Sequence, residues 1–511
     1  MGRTVPPAAT PPPSADVPGA PLTAGTRVPY APGMDLRRKC LVVPFVALGL
    51  LGLGTPAPAG AAVPVTRPAD PVVLTGADVP TLIGRAPTRI VALRWTGTAW
   101  QRRHVQVDER AVVNFARIYG ILNAPTTAFY GSQPGLVNQT VYTSGATWTG
   151  NDVDRTVDAD DEIVFMARDG GVRATGAPQP PGTAIGSGVE VRLTDPRVAD
   201  SESYIYLFER ATTGILPGGA GPRYASYTFR LTSGSYKTTY SRFAGPNPED
   251  SRFRGATYQR HFADRWLSDE LTIVTNKVLS ADLLDRQKVL FAPNTCVRSE
   301  TTFNQTTGYG TAEGAFVVNK NGPVRAIRSY VGANSGPNTQ RTHLLYDRRE
   351  EIVTDLRVHS IPSVMDLFDY STAAHGMTYR NSLNQSGATL DGTPDSLVPG
   401  ESSWEQLSGA PGTITHVHDL VTSFPRTVST YHLDDTTPAD PQCTGDSTAA
   451  TTGPNITSSI PCTDPALACT ATLRGRRTIF YEGPGGDAET ATAHRASVTL
   501  PVVATAEPWT P

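Results

Sequence analysis

The chain has 511 residues, 44 Lys and Arg against 47 Asp and Glu, a formal net charge of −3, and 39% hydrophobic residues. Acid and base are mixed along its length. That pattern lacks both the basic footprint of a nucleic-acid binder and the block of like charge of an acidic tail.

Residues 1–33 are rich in Pro and Ala and hold little that builds a core. They read as an over-extended reading frame or a disordered extension. From Met34 the character changes: "MDLRRKC" is basic, "LVVPFVALGLLGLG" apolar, and "TPAPAGAA" small. This order predicts a secretory signal peptide over 34–62, cleaved near Ala61 or Ala62. The apolar run is shorter than the roughly 20 residues of a membrane span. Cys40 precedes that run, the wrong side for a lipid-anchored cysteine. No later segment is apolar for long enough to span, so a secreted protein without a stable membrane anchor is expected.

The mature region alternates in short runs between Gly- and Pro-bearing turns. "RIVALRW", "HVQVDE", "IVFMAR", "VEVRL", "SYIYLFE", "SYTFRL", "ELTIVT", "AFVVN", "PVRAIRSYV", "THLLYD", "TITHVHDLV" and "SVTLPVV" are strand candidates. Only "SADLLDRQKVLF" and "IPSVMDLFDYSTAAHGM" are fair candidates for a helix or a turn of one. The expected fold is all-β: a large antiparallel β-sandwich, supersandwich-like, with few short helices. An N-terminal sandwich region is expected over 63–211 and a central one over 224–437. Thr212–Arg223 is a linker or a long loop. Residues 438–511 read as a disulfide-stapled loop followed by final strands. The four cysteines after the leader suggest two disulfides. Close spacing favours Cys462 with Cys469, leaving Cys296 for Cys443.

Two resemblances accompany this reading. "HVQVDER" followed by "DADDEIVFMARDGG" resembles the N-terminal portion of a group of secreted bacterial β-rich proteins without an assigned activity. It covers about the first third of the mature chain and brings no catalytic residue. "NGPVRAIRSY" is similar to the GPVRA-type strand of galactose-mutarotase-like supersandwich carbohydrate-active proteins, rhamnogalacturonan-lyase-like proteins among them. That resemblance implies large facing sheets and a concave face that takes a sugar chain.

Three constellations are candidates for chemistry. In "NDVDRTVDADDE" the carboxylates Asp152, Asp154, Asp158, Asp160 and Asp161 are spaced as oxygen ligands in a tight loop. Calcium, which takes six to eight such ligands, is the cofactor they would hold. The EF-hand pattern fails at Val157 and Ile163, and a solvated turn capped by its own Asp side chains is the alternative. Next, a strand over Gln340–Asp347 puts Arg341, His343 and Asp347 on one face, with Tyr379 and His375 as candidate acids. A base and a carboxylate-neutralising Arg suit β-elimination from a uronic acid. Surface charges around a satisfied strand histidine are the alternative. Lastly, His416 and His418 share a strand face beside Asp419, and with His432 they would make part of a transition-metal site. No GxSxG, HExxH, P-loop or GxGxxG occurs in its structural context. The function expected is binding or processing of extracellular polysaccharide, by lyase chemistry if the protein is an enzyme. The alternative is a non-enzymatic, calcium-stabilised extracellular binding or structural protein. No nucleic-acid partner is expected.

Overall fold

A computed structural model describes residues 63–115, 138–147, 149–232, 249–263, 268–290, 314–332, 339–357, 364–435, 450–457 and 472–511. The signal-peptide region and all five cysteines, and with them the expected disulfides, lie outside the described residues. No helix among the described residues is long and apolar enough to cross a membrane.

Four sheets, antiparallel at every pairing between their strands, form the described fold. Sheet I runs, in spatial order, Val503–Pro508, Val189–Thr194, Ser203–Glu209, Ile90–Trp95 and Trp100–Arg103. Sheet II is small: Pro71–Thr75, Glu162–Met166, Gln106–Asp108. Sheet III holds nine strands, in the order Gly314–Asn321, Ala326–Gly332, Thr339–Leu345, Arg349–Arg357, Thr472–Glu482, Gly412–Thr422, Trp404–Gly409, Thr378–Asn381 and Asn384–Thr389. Sheet IV runs Ser226–Thr228, Ser251–Arg254, Tyr258–Phe262, Ser268–Thr275, Leu284–Leu290, Val364–Tyr370, Ala450–Ile456 and Val428–Asp434. The short strand Val278–Leu279 pairs beside this path. A separate hairpin pairs Arg110–Asn114 with Asn138–Tyr142.

Side-chain alternation explains the layering. In "IVFM" every residue is apolar because sheet II is covered on both faces. Ile163 and Phe165 pack with Leu74, Ala92, Val191 and Leu207 against sheet I. Val164 and Met166 point the other way, onto Val324, Ile327, Leu344 and Tyr346 of sheet III. The opposite face of sheet III meets sheet IV, where Leu345, Ile352, Ile414 and Ile479 pack on Phe253, Tyr258, Leu271 and Phe368. The layers therefore run I, II, III, IV, with a supersandwich formed by III and IV.

The two helix candidates are mostly strand, Leu284–Leu290 and Val364–Tyr370, and the second keeps one 3-10 turn, Thr372–Ala374. Their neighbours in sheet IV override a pattern that is ambiguous over so short a run. "SVTLPVV" is not one strand either. Its first three residues close the helix Ala488–Thr499, and Val503 opens the strand that completes sheet I. That helix lacks an apolar stripe, since only Ala491 and Ser497 are buried, so periodicity could not announce it. Asp487 caps it, accepting from the Thr490 amide at 2.9 Å. Residues after 438 do not stand apart: they supply strands to sheets IV, III and I in turn.

The joint between the N-terminal sandwich and sheet III is ionic. The side chain of Gln106, in "VQVDER", acts as a short piece of strand. Its Oε1 accepts from the amides of Val324 and Arg325 at 3.0 and 3.1 Å, and its Nε2 donates to Asp108 at 2.9 Å. A Cβ on Gly322 would lie 1.9 Å from that Oε1, so "NGPVR" needs its glycine here. Asp108 is fully buried and takes Arg325 Nε at 2.9 Å and Lys320 Nζ at 2.7 Å. Burial pushes its carboxyl up, but those two cations hold it below the usual carboxylate range. Arg325 also reaches Glu162 at 2.5 Å and the Tyr346 hydroxyl at 3.1 Å. A second tie joins Arg168 of "IVFMARD" to Asp347 at 2.7 Å.

Removing Arg325 takes from two carboxylates their shared, buried cation and leaves only Lys320 at Asp108 and Arg110 at Glu162. Arg325→Met is expected to cost about 3–5 kcal/mol in chemical denaturation, and Arg325→Lys to recover only part of it, since an ammonium cannot match the fork. A loss within about 0.5 kcal/mol for Arg325→Met, the range of an ordinary surface change, would show that the joint is not held this way.

Candidate functional site

A cleft of about 950 Å³ lies between the N-terminal sandwich and the outer face of sheet III. Its floor takes Ser329, Thr342, Val353, Arg476 and Val421 from five adjacent strands. At the usual inter-strand spacing, those five strands span about 19 Å. The walls come from Pro71–Leu74 of sheet II, from Gln139–Tyr142 of the hairpin, and from Pro501, Val502 and Ala504.

Six arginines line this cleft, Arg110, Arg325, Arg349, Arg357, Arg474 and Arg476, against four carboxylates, Asp78, Glu162, Glu351 and Asp355. Most of the cations are already engaged. Arg349 is held by Asp70 at 3.0 Å and Glu351 at 2.5 Å. Arg357 donates to Gln340 at 3.1 Å and lies 3.6 Å from Asp355. Arg474 and Arg476 differ. They occupy alternate, outward positions of the strand Thr472–Glu482, and both are exposed. Arg474 has one long ion pair, to Asp355 at 3.5 Å, and Arg476 has none among the described residues. The sequence reading missed both, although "TLRGRRTIF" carries the signal: two arginines two residues apart on a strand.

Of the four residues chosen as catalytic, one reaches a cavity. Arg341 and His343 do share a strand face, but it is the inward one. His343 is 2% exposed and lines neither this cleft nor the pocket described next. Its Nδ1 lies 2.7 Å from Glu350 Oε1, and its Nε2 lies 2.9 Å from the Tyr330 hydroxyl. Burial pushes Glu350 up, but Arg260 and the bond to His343 bring it down to about 2, so it accepts only. Nδ1 therefore donates, and Nε2 accepts from Tyr330. Burial outweighs Glu350 and lowers His343 to about 4, leaving a neutral, satisfied core histidine rather than an accessible base. Tyr379 is 1% exposed, donates to Glu405 at 3.0 Å and stacks on His432 with centroids 4.3 Å apart. His375 is exposed at the end of the turn Thr372–Ala374 and lines neither cavity. Asp347, on the same expected face, is spent on Arg168.

Arg341 lines a pocket of about 380 Å³ at the strand ends between sheets III and IV. It pairs with Asp366 at 2.9 Å and donates to Thr354 at 2.9 Å. Arg477 and His418 lie in the same pocket. His418 Nε2 lies 2.9 Å from Glu405 Oε1, so Tyr379 connects to the pocket only through Glu405 and His418.

The aspartates proposed as calcium ligands are not gathered around one point. Asp152, Asp154 and Asp158 each accept from the amide two residues on, Asp154, Thr156 and Asp160, at 3.1 Å. These are self-capped turns. Asp160 donates its amide to one of them, and Asp161 accepts from the amides of Arg110 and Asp158 at 2.8 and 3.1 Å. Among the described residues no group of three His, Cys, Asp or Glu is placed to hold a metal ion. Of the histidine cluster, His416 and His418 do share a strand face, with parallel rings 6.3 Å apart, but each histidine has its own partner: His416 bonds Tyr370, His418 bonds Glu405, and His432 bonds Asp395.

Fold and cleft together define a class: an all-β protein of stacked antiparallel sandwiches with one long arginine-lined groove. No protein-family model matches the chain, and no curated protein matches it. Among solved structures it is similar to HI1317, at 8% identity and a TM-score of 0.26, covering 50% of this chain and 99% of that one. It is also similar to heparinase III, the BT4657 gene product, at 8% identity and a TM-score of 0.23, covering 53% of this chain and 37% of that one. Overlaps this loose carry no argument about function.

The state of His343 sets a pH dependence. With a folded value near 4 against an ordinary 6.5, the unfolded chain binds the extra proton between these limits. Its contribution is fully present above pH 6.5 and is lost as pH falls through that window, by roughly 1 kcal/mol per unit. The stability difference between wild type and His343→Gln should therefore narrow steadily from pH 6.5 to 4 in denaturant titrations. A constant difference would mean that the ring is charged or exposed in the fold.

Proposed function

We propose that the protein is exported and binds an extended acidic polysaccharide in the cleft between the N-terminal sandwich and sheet III. The carrying observation is the floor: it crosses five neighbouring strands over about 19 Å, and four of them bring hydroxyl, amide or guanidinium groups to it. A groove that long suits several linked sugar rings rather than one. Arg474 and Arg476, exposed and barely paired, supply charge-assisted bonds to the carboxylates or sulfates of the polymer. Thr342, half-buried beside Ser329 and Gln340, supplies a partner for its hydroxyls.

Binding is favoured over catalysis. Burial drives the Tyr346 hydroxyl in the cleft up to about 12, and burial likewise raises Tyr142, whose hydroxyl is bonded to Glu162. Neither is an easily ionised base. A lyase built on Arg341, His343, Tyr379 and His375 draws no support from residues that share no open site. The calcium-stabilised alternative finds no gathered ligand set in the acidic loop.

Affinity electrophoresis and calorimetry of the purified protein with polygalacturonate, heparin and a neutral β-glucan test the reading. The acidic polymers are expected to bind, with affinity falling as salt rises, and the neutral glucan to bind much more weakly. The double variant Arg474→Ala, Arg476→Ala should weaken acidic binding by about tenfold or more, the equivalent of about 1.4 kcal/mol. Equal binding of neutral and acidic polymers, or a double variant that binds like wild type, rules the cleft out. Growth of an unsaturated-sugar absorbance would restore the lyase reading.

A further inference from the structure

We propose that the pocket between sheets III and IV is a second binding site, separate in chemistry from the cleft, for a small organic acid: a carboxylate carried on an apolar body. Its volume of about 380 Å³ lies in the range of small-molecule sites. Its walls and its floor call for different halves of such a ligand.

The walls are hydrocarbon, from Val364, Leu420, Val428, Ile456 and Leu473. A sugar placed there would bury hydroxyls against groups that cannot bond them, which is costly. The floor is cationic. Five arginines line the pocket, Arg341, Arg426, Arg476, Arg477 and Arg495, against three carboxylates, Asp366, Glu401 and Asp419. Arg426 lies 3.6 Å from Glu401 and Arg495 3.2 Å from Asp419, while Arg341 and Arg477 both act on Asp366, and Glu405, buried behind the floor, also acts on Arg477. Arg341 reaches Asp366 at 2.9 Å, and Arg477 only at 3.9 Å.

Arg477 is the informative residue. It is 4% exposed and lies over the Phe368 ring at 4.8 Å. One Nη donates to the Asp366 carbonyl, while its Nε is buried without a partner. A buried guanidinium N–H left without an acceptor is costly. A ligand carboxylate would bring an acceptor beside that guanidinium, in a pocket lined by more arginines than carboxylates. The ligand's apolar body would then lie along the valine and leucine walls. His418, held by Glu405, borders the same floor.

Calorimetry with benzoate, cyclohexanecarboxylate, glucuronate and benzyl alcohol separates the two halves of the claim. Benzoate and cyclohexanecarboxylate are expected to bind. Glucuronate lacks the apolar body and benzyl alcohol lacks the charge, so both should bind at least tenfold more weakly. Arg477→Met should abolish benzoate binding. Because that change alters a buried ion network, Val428→Trp provides a second arm: it fills the pocket from a half-buried strand position and keeps every charge. Loss of benzoate binding in a folded Val428→Trp supports the site. Benzoate that binds Val428→Trp like wild type, glucuronate that binds as well as benzoate, or no binding of either apolar acid overturns it. Polygalacturonate binding is read separately, so failure of the pocket and failure of the cleft are distinguishable.

Discussion

One guanidinium sets the relation between the two halves of this protein. Arg325 is 1% exposed and bonds Asp108, Glu162 and Tyr346 at once. An ion pair so placed is costly to desolvate and holds only if every remaining donor and acceptor is met. Here they are met from the strands Gln106–Asp108 and Glu162–Met166 and from Tyr346 in the turn after Thr339–Leu345. Satisfying them fixes how sheet II lies on sheet III and hence the width of the groove beside it. Gln106 and Lys320 complete the arrangement by occupying the rest of Asp108. The cleft is thus a by-product of a joint whose geometry allows little slack.

The same economy recurs between sheets III and IV. Arg260 and Glu350, both fully buried, meet at 3.1 Å, and Ser268, Gln287, Tyr481 and His343 close the remaining bonds at 2.7–3.3 Å. Apolar packing surrounds this knot, so the sheets must register correctly before it can form. A one-residue slip of either strand would turn Arg260 or Glu350 to the opposite face. The charged interior selects one alignment out of the several that hydrophobic contact alone would tolerate.

The all-β sandwich was legible in the sequence because short alternating runs recur between turn residues. The limits were specific. "SADLLDRQKVLF" and "IPSVMDLFDYSTAAHGM" read as a helix or a turn of one, but their apolar pattern does not separate helix from strand; Leu284–Leu290 and Val364–Tyr370 are strands and only Thr372–Ala374 is a turn of helix. The period-2 reading grouped Arg341 with His343 correctly, yet alternation tells which residues share a face, not whether the face is wet. Both turned inward, and a plausible base became a core histidine. The acidic stretch was read as a turn or a calcium loop; its aspartates cap one another locally, while Glu162 reaches across to Arg325. The motifs behind the two resemblances, "VQVDER", "DADDEIVFMARD" and "NGPVRAIRSY", meet in space at that joint. Their residues are architectural, and nothing in one linear pattern announces a partner more than 150 positions away.

Sheet I carries an implication for the order of events when the chain is made. Its edge strand Val503–Pro508 pairs with Val189–Thr194, and Trp509 closes an aromatic cluster with Trp100, Tyr206 and Phe208 at centroid distances of 5.4–5.9 Å. The N-terminal sandwich therefore waits for residues that emerge after the whole supersandwich. Until then it exposes an open strand edge and an unfilled aromatic socket, the kind of surface that chaperones hold and that aggregates when they do not. Synthesis runs in one direction, but the first sandwich to appear is the last one finished.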